Sequence, residues 1–405
     1  MSIYRRQQMR IILADIVSAE LVWLLFLLFR WIVYEGKVMS VEGVLIPAFD
    51  FHRPLVLYPL GCLAVYYLSG YYLHPFKRSR SKDFLTTFVS AMIISLGAFF
   101  IIIIDDHVTE YQRYLVSLGV LFLLQFIISH ACRWAVRRFS RLYNEREDII
   151  VIDPPTGDEG ELYRQIRDAY PTGKPIYIRP RVYDLLTGAA QIRNLDDEAL
   201  VCITELNMSD WEVCVKRAFD IVVAVICLVA LSPLYAFLAM LVWRSSKGPV
   251  FYTQERTGLH GQPFQIYKFR TMIESAEEEG LPQLSTKDDS RVTGRTGHWM
   301  RKYRLDELPQ IWNVLKGDMS FVGPRPERPY FIRLIEQQAP YYCLLYKIRP
   351  GLTSWGPIRV GYTDTIEKMI RRLNYDIAYM ENMSLLLDLK IMLSTLSVLF
   401  NGKGQ

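Results

Sequence analysis

Two adjacent carboxylates, Asp306 and Glu307, lie beside Arg304 in the stretch RLDELPQIWNVL. One carboxylate of such a pair can attack phosphorus while its neighbour helps to hold Mg²⁺, a hard ion that takes oxygen ligands and substrate phosphates. Adjacent side chains differ by about 100° around a helix, so they share a partner only at a helix end, where Pro309 allows an irregular backbone. The pair also suits the acidic first turn of an ordinary helix, and its spacing alone favours that interpretation.

A conformationally restricted arginine follows the acid pair. Arg325 lies between Pro324 and Pro326, and each proline fixes its own φ, so the backbone around the arginine is stiff. A guanidinium on such a segment can hold a phosphate through two parallel hydrogen bonds. A lone Pro-Arg-Pro is usually an extended turn, but its position soon after the acid pair favours a phosphate-binding role.

Two further cations precede the acid pair in a predicted hairpin. The stretch VFYTQERTGLHGQPFQIYKFRTM has the pattern of two strands joined by a glycine-containing loop. By the period of two, the residues that share one face of the second strand are Phe264, Ile266, Lys268 and Arg270. Two cations on a partly apolar face suit an anion held at a membrane surface, and cations that protect a solvated strand edge are an equally open alternative.

An apolar segment, residues 218–243, precedes the predicted hairpin. Its 26 residues would form a helix of about 39 Å, long enough to span a bilayer. Both flanks are basic, and Pro233 removes a backbone hydrogen bond in the middle, where the Ser232 hydroxyl can satisfy freed groups. We therefore predict a re-entrant helix broken at Ser232 and Pro233. A kinked span is the alternative, and it would place everything after residue 244 on the far side of the membrane.

Four apolar segments in the first third of the chain predict a transmembrane bundle over residues 1–144. Each is near the roughly 20 residues that a spanning helix needs. The segments comprise residues 11–33, 54–73, 84–104 and 114–135. Basic and non-basic connections alternate between them, as the positive-inside rule expects for four spans with both ends in the cytoplasm. Buried helices of a soluble protein show no such alternation.

Residues 145–213 predict a small cytoplasmic α/β domain. Short apolar runs in EDIIVIDPP, KPIYIRP and ALVCITEL suggest strands, and GELYRQIRDAY and the residues after the second strand suggest helices. Because no GxGxxG follows the first strand, we predict no dinucleotide site there. A structural or regulatory spacer is the preferred interpretation.

The C-terminal stretch NYDIAYMENMSLLLDLKIMLSTLSVLF mixes apolar residues with four charged ones. This pattern favours an interfacial helix packed against the rest of the domain over a further span.

The composition fits such a mixture of membrane and water-exposed parts. Hydrophobic residues make up 51% of the chain and charged residues 22%, with a modest net charge of +5. The six cysteines show no metal-binding spacing, so reduced thiols are expected. No nucleic-acid partner is expected, and a homo-oligomer is left open.

Several motifs in order resemble one family over about residues 214–400. These are KRAFDIVVAVICLVALSPL, GPVFYTQERTGLHGQPFQIYKFRTM, RLDELPQIWNVLKGDMSFVGPRPE, KIRPGLTSW and NYDIAYMENMSLLLDLKI. They are similar to the bacterial sugar transferases, the polyprenyl-phosphate phosphoglycosyl transferases with a monotopic core. The resemblance implies a mainly helical catalytic domain over residues 214–405, with a re-entrant helix and a short β-hairpin, in the bacterial inner membrane on its cytoplasmic face. Mixed α/β membrane architecture is thus the expected fold class.

The resemblance also implies a reaction and the residues that perform it. A UDP-sugar donates its sugar phosphate to undecaprenyl phosphate, and UMP is released, in the initiating step of exopolysaccharide, capsule or O-antigen synthesis. Asp306 matches the nucleophile, Glu307 contributes to the Mg²⁺ site with Asp306 beside it, and Arg325 matches a phosphate contact. Further polar active-site positions, which the resemblance implies bind the substrate phosphate with Arg325, are matched by Lys268, Arg270 and Asp376. The family's helix-breaking pair is matched by Ser232 and Pro233.

Two alternatives remain beside this function. A non-catalytic scaffold of polysaccharide assembly would not need its intact acids and cations, and a polytopic transferase without a covalent intermediate would have more spans. The chain also departs from many relatives with SWGPIRVGYTD, which puts substrate contacts from residues 354 to 361 in doubt.

Overall fold

The computed structural model describes fourteen stretches of the chain. They are residues 3–35, 39–41, 44–46, 52–73, 80–105, 111–142, 149–153, 159–180, 192–195, 198–245, 247–273, 283, 289–361 and 365–400. The chain divides into two compact units. The first unit contains residues 1–147 and 209–215, and the second contains residues 148–208 and 216–405. The three-domain division predicted above stays a prediction.

Four helices make up most of the described part of the first unit. They are α1 (Ile3–Arg30, followed by a π-helical turn, Trp31–Glu35), α2 (His52–Leu68), α3 (Arg80–Asp105) and α4 (Tyr111–Leu142). A short antiparallel pair, β1 (Met39–Val41) and β2 (Val44–Ile46), precedes α2. Three stretches of these helices are long and apolar enough to cross a bilayer: Gln8–Val33, Ser81–Ile101 and Leu115–Val136.

The second predicted span is shorter than expected. Helix α2 has 17 residues, and its apolar part runs only from Val56 to Leu68. It ends there because Gly70 takes φ 73, and a Cβ at this glycine would lie 2.4 Å from the backbone carbonyl carbon of Asp210. A helix of this length falls below the roughly 20 residues of a straight span.

A buried ion pair joins α1 to α4 in the first unit. Asp15 and Arg133 are both 0% exposed, and the Arg133 Nε and Nη2 groups donate to the two Asp15 carboxylate oxygens at 2.8 and 3.0 Å. The rings of Tyr66 and Tyr71 each lie 3.8 Å from the guanidinium carbon. Such a pair within apolar helices is expensive to bury unless its hydrogen bonds are complete.

The remaining polar atoms of this pair are also satisfied. Arg133 Nη1 donates to Thr87 Oγ1 on α3 at 3.2 Å, and the Tyr72 hydroxyl donates to Asp15 at 2.8 Å. The hydrogen bonds continue along α4, where Gln125 accepts from the Tyr58 hydroxyl at 2.6 Å. The four helices therefore meet around one saturated polar cluster.

The second unit begins with a four-stranded sheet. Its strands are β3 (Ile150–Ile152), β4 (Ile176–Ile178), β5 (Ile192–Leu195) and β6 (Glu198–Cys202), in the order β3-β4-β6-β5, with α5 (Glu159–Ala169) after β3. Only β3 and β4 are parallel. Strands β3, β4 and β6 and helix α5 lie where the sequence predicted three strands and a helix. Strand β5 was not predicted, because IRNL shows no alternation, and the helix predicted after β4 falls outside the described residues.

The predicted helix break is present. Helices α6 (Asp210–Ala230) and α7 (Ser232–Ser245) meet at an angle of 63°. The Ser232 hydroxyl donates to the Val229 carbonyl at 2.8 Å, so it satisfies a group at the bend as expected.

The elements that follow build the site. The predicted hairpin is confirmed as β7 (Phe251–Thr257) and β8 (Pro263–Phe269), which pair antiparallel. Next come α8 (Gly294–Lys302), α9 (Gln310–Lys316), β9 (Ser320–Val322), α10 (Pro329–Glu336) and β10 (Gly351–Thr353), with β9 and β10 parallel. Asn313 links α9 to the hairpin, because its amide donates to the Gln265 carbonyl at 2.7 Å and accepts from the Tyr267 N–H at 3.1 Å.

The C-terminal stretch forms two helices, where one was predicted. After α11 (Trp355–Val360) come α12 (Ile366–Glu381) and α13 (Leu385–Phe400). The break has a local cause: Ser384 Oγ accepts from the Leu387 N–H at 3.2 Å and so caps the start of α13. Asp388 of α13 pairs with Lys216 of α6, and Leu386 on α13 is 80% exposed. An exposed leucine on a helix fixed beside α6 agrees with an interfacial position.

Candidate active site

The acid pair lies on an irregular turn between two helices. A 3₁₀ turn comprises Leu305–Glu307, and Arg304 before it takes φ 54 and ψ 27, a left-handed conformation that non-glycine residues rarely adopt. Holding such a residue costs about 1–3 kcal/mol and persists only where the surroundings enforce it. Asp306 and Glu307 thus lie at a helix end, where adjacent carboxylates can bind the same ion or substrate group, as predicted from the sequence.

Three cations surround the Glu307 carboxylate. Lys268 Nζ and Arg325 Nη2 donate to one oxygen at 3.0 and 3.2 Å, and Arg304 Nη1 donates to the other at 3.3 Å. Glu307 is 9% exposed. Although burial raises the pKa of Glu307, the charges of Lys268, Arg325 and Arg304 lower it well below its usual range. The three positive groups thus favour the ionised form of Glu307.

The neighbouring Asp306 is left open. Within the part of the chain that the structure describes, its carboxylate makes no hydrogen bond and no ion pair. Desolvation and the negative charge of Glu307 raise the pKa of Asp306 to about 6, against the opposing charges of Lys268, Arg301 and others. At neutral pH Asp306 is mostly an unpaired carboxylate beside a cluster of cations, as a nucleophile for phosphorus requires.

The Arg325 segment is fixed at both flanking prolines. The Pro324 carbonyl accepts from the Gly351 N–H at 2.9 Å, and the Pro326 carbonyl accepts from Arg256 Nη1 at 3.1 Å. Glycine is required at position 351, because a Cβ there would lie 2.1 Å from the backbone nitrogen of Gly323. The stiffness expected from the two prolines is thus reinforced by hydrogen bonds from distant parts of the chain.

Asp376 is a further buried carboxylate of the same unit. It is 2% exposed, and it accepts from the Ser354 hydroxyl and from the Gly356 N–H, the latter at 3.2 Å. Burial raises its pKa to about 6, although Arg372, Ser354 and the backbone N–H groups of Gly356 and Arg325 oppose the shift. These protein donors surround the Asp376 carboxylate, and its predicted part in binding the substrate phosphate stays a prediction.

The remaining predicted positions make none of the three hydrogen bonds to Glu307. Arg270 is 6% exposed, and its backbone N–H donates to the Val250 carbonyl at 3.0 Å. Ser232 and Pro233 form the helix break between α6 and α7.

Several residues at the site were not predicted from the sequence. Arg304 lies beside the acids in the sequence, but its contact with Glu307 could not be inferred from that position. Glu327 and Arg372 form a buried ion pair next to the Arg325 segment. The Glu327 carboxylate follows PRP directly, which was a usable signal, whereas Arg372 and Arg256 carry none in their local sequence.

The acid pair offers oxygen ligands of the kind that Mg²⁺ prefers. No group of three or more His, Cys, Asp or Glu side chains that could hold a metal occurs among the described residues. Magnesium commonly binds one or two carboxylates and completes its shell with water and substrate phosphates. Asp306 has an open carboxylate next to Glu307, so the donor set fits an ion shared with a phosphate substrate.

Comparisons with known proteins point to one group of enzymes. The family model for bacterial sugar transferases matches residues 211–402. A UDP-N-acetylgalactosamine-undecaprenyl-phosphate N-acetylgalactosaminephosphotransferase of Aeromonas hydrophila is 35% identical over 282 residues, which cover 69% of this chain and 66% of that protein. A UDP-glucose:undecaprenyl-phosphate glucose-1-phosphate transferase of Escherichia coli K12 is 35% identical over 246 residues, covering 60% and 52%. The uncharacterized sugar transferase EpsL of Bacillus subtilis is 39% identical over 192 residues, covering 47% and 89%. The chain thus spans between half and two thirds of the first two relatives.

Proposed function

The chain belongs to the bacterial sugar transferase family, and from this premise we propose that it transfers a sugar-1-phosphate from a UDP-sugar to undecaprenyl phosphate and releases UMP. The names of two relatives support this class of donor and acceptor. One structural observation carries the proposal: an unpaired Asp306 lies next to Glu307, which three cations contact.

The proposed reaction has two displacements. The Asp306 carboxylate attacks the phosphorus that carries the sugar; an aspartyl phosphosugar forms, the bond to UMP breaks and UMP leaves. The phosphate oxygen of undecaprenyl phosphate then attacks the same phosphorus, and the Asp306 carboxylate is restored. Two steps suit substrates that come from different phases, because each meets the enzyme separately.

The cations around Glu307 have a role in both steps. Lys268 and Arg325 are held by one Glu307 oxygen, so their positive charges lie next to the open Asp306 carboxylate. Charges fixed in advance stabilise the phosphoryl oxygens without reorganisation. Asp306 and Glu307 would hold the magnesium ion, which when bound supplies further positive charge to the phosphate groups.

The membrane arrangement completes the proposal. We propose that the first unit crosses the inner membrane four times, with a locally thinner bilayer around the short helix α2, and that α6 and α7 enter and leave the bilayer by the cytoplasmic face. The 63° bend between α6 and α7 and the basic residues at both ends support this path. The site then lies at the headgroup level on the side where UDP-sugars are made, in the initiating step of exopolysaccharide, capsule or O-antigen assembly.

A UMP-release screen tests the function. Purified protein in lipid nanodiscs is incubated with undecaprenyl phosphate and single UDP-sugars, beginning with UDP-N-acetylgalactosamine and UDP-glucose, and UMP is measured. We expect release with at least one donor, and mass spectrometry of protein incubated with that donor alone should find the sugar phosphate on Asp306. Release from no donor would overturn the proposal in favour of a non-catalytic scaffold, and transfer without an adduct would favour direct attack by the lipid phosphate.

A further inference from the structure

A tyrosine of the broken helix pair contacts the turn that carries the acid pair. The Tyr235 hydroxyl on α7 donates to the Leu308 carbonyl at 2.7 Å. Leu308 directly follows Glu307, and its carbonyl also accepts from the Ile311 N–H at 3.0 Å. A single α7 side chain therefore binds the peptide that joins the acid turn to α9.

The apolar side of the same turn packs on α7 as well. Leu238 and Val242 of α7 form a buried cluster with Phe269 and Met300. Partly buried residues that pack on this cluster include Tyr235, Leu305 and Leu308. The two leucines flank Asp306 and Glu307 on either side, so α7 supports the acid turn at both of its ends.

This support bears on Asp306 more than on Glu307. Three cations locate the Glu307 carboxylate, whereas the Asp306 carboxylate makes no bond within the described residues and takes its position from the backbone. That backbone is strained at Arg304, with φ 54, and a strained turn keeps its geometry only where its surroundings enforce it. The Tyr235 hydrogen bond ties α7 to the residue that directly follows the acid pair.

We propose that Tyr235 is a positioning residue, which holds the Leu308 peptide so that the Asp306 carboxylate is aimed at phosphorus. The inference rests on the proposed role of Asp306 as the nucleophile. It also gives α7 a task beyond anchorage, since the helix that we place in the bilayer fixes the orientation of the reacting group. A misplacement of a nucleophile slows the reaction without weakening the binding of the substrate.

The test is Tyr235→Phe, with Tyr341→Phe as the matched control. Tyr341 is also half-buried, and its hydroxyl donates to Asn374 Oδ1 at 3.2 Å, away from the acid turn. We expect Tyr235→Phe to lower kcat about threefold to tenfold, the effect of one lost hydrogen bond on the transition state, with KM for the UDP-sugar changed less than twofold. The rate of adduct formation should fall by the same factor, and Tyr341→Phe should match the wild type.

A second measurement does not depend on activity. Amide hydrogen exchange in the peptide covering residues 305–312 should become faster in Tyr235→Phe and stay unchanged in Tyr341→Phe. Wild-type kcat in Tyr235→Phe, or unchanged exchange in that peptide, would overturn the positioning role and leave the proposed function intact. If the wild type released no UMP, the exchange result would still decide whether Tyr235 holds the turn.

Discussion

The two units each bury a group of charged side chains, and the two groups differ in whether every charge has a partner. In the first unit Asp15 and Arg133 satisfy each other, and Tyr72 and Thr87 supply the remaining hydrogen bonds. In the second unit Glu307 has three cationic partners while Asp306, next to it in the chain, has none among the described residues. A closed set of partners stabilises a fold, and an open carboxylate is available for chemistry.

The two groups of charges should also respond differently to mutation. Removing one member of a closed buried pair leaves an uncompensated charge, which costs about 3–5 kcal/mol. Removing the charge of an open carboxylate leaves nothing unpaired. Loss of stability should therefore follow changes in the first cluster, and loss of reaction should follow changes at Asp306.

The largest effect is expected for Asp306→Asn. The amide cannot attack phosphorus, so UMP release should fall by about 10³-fold or more, and no adduct should be found by mass spectrometry. Glu205→Gln, at an acidic residue outside the site, serves as the control for a lost carboxylate. Near-normal turnover in Asp306→Asn would mean that another group attacks phosphorus.

The next effect concerns the closed cluster, by which we mean Asp15, Arg133, Tyr72 and Thr87. Arg133→Leu leaves the Asp15 charge buried alone and should lower the free energy of unfolding of the first unit by about 3–5 kcal/mol. The double variant Asp15→Leu/Arg133→Leu is the matched control, because an apolar pair of similar size restores much of that loss. Thermal unfolding in detergent, followed by size-exclusion chromatography, measures both. Equal stability of the single variant and the wild type would show that the pair is not closed in the way described.

The third effect is a shift in pH dependence. Asp306 must be ionised to attack, so kcat/KM for the UDP-sugar should rise with pH through the Asp306 pKa of about 6. Glu307→Gln removes the negative charge that raises this pKa, so the acid limb should move to lower pH. The plateau should fall about tenfold to a hundredfold, because Lys268 and Arg325 lose the carboxylate that holds them. An acid limb that stays in place would exclude Asp306 as the titrating group.

Much of the open cluster, which is Asp306, Glu307 and the cations that contact Glu307, could be predicted because its sequence patterns are local. Asp306 and Glu307 are adjacent, Arg325 lies between two prolines, and Lys268 falls on a face set by the period of two. The helix break could be predicted for the same reason, since Pro233 ends a run of backbone hydrogen bonds by its own covalent structure.

The closed cluster could not be predicted, because its contacts join distant positions. Asp15 and Arg133 are single charges in long apolar helices, and the residues around each one do not indicate that they form an ion pair. The same holds for Tyr235 and Leu308, whose contact depends on how α7 packs against the acid turn. The left-handed conformation of Arg304 was equally invisible, since arginine gives no signal for a positive φ.

The smallest expected effect is a change in the thermal stability of Asp306→Asn. Because the pKa of Asp306 is raised above that of the unfolded chain, its protonated form is favoured in the folded state, and the stability it contributes is lost as pH rises through about 6. Asp306→Asn imitates the protonated form, so its Tm should exceed that of the wild type by about 2 °C at pH 8 and should equal it near pH 4. Asp15→Asn should behave in the opposite way, with a lower Tm at pH 8, because it removes the charge that Arg133 requires. A Tm of Asp306→Asn below the wild type at pH 8 would show that Asp306 has a stabilising partner after all, and the distinction between the open and the closed cluster would fail.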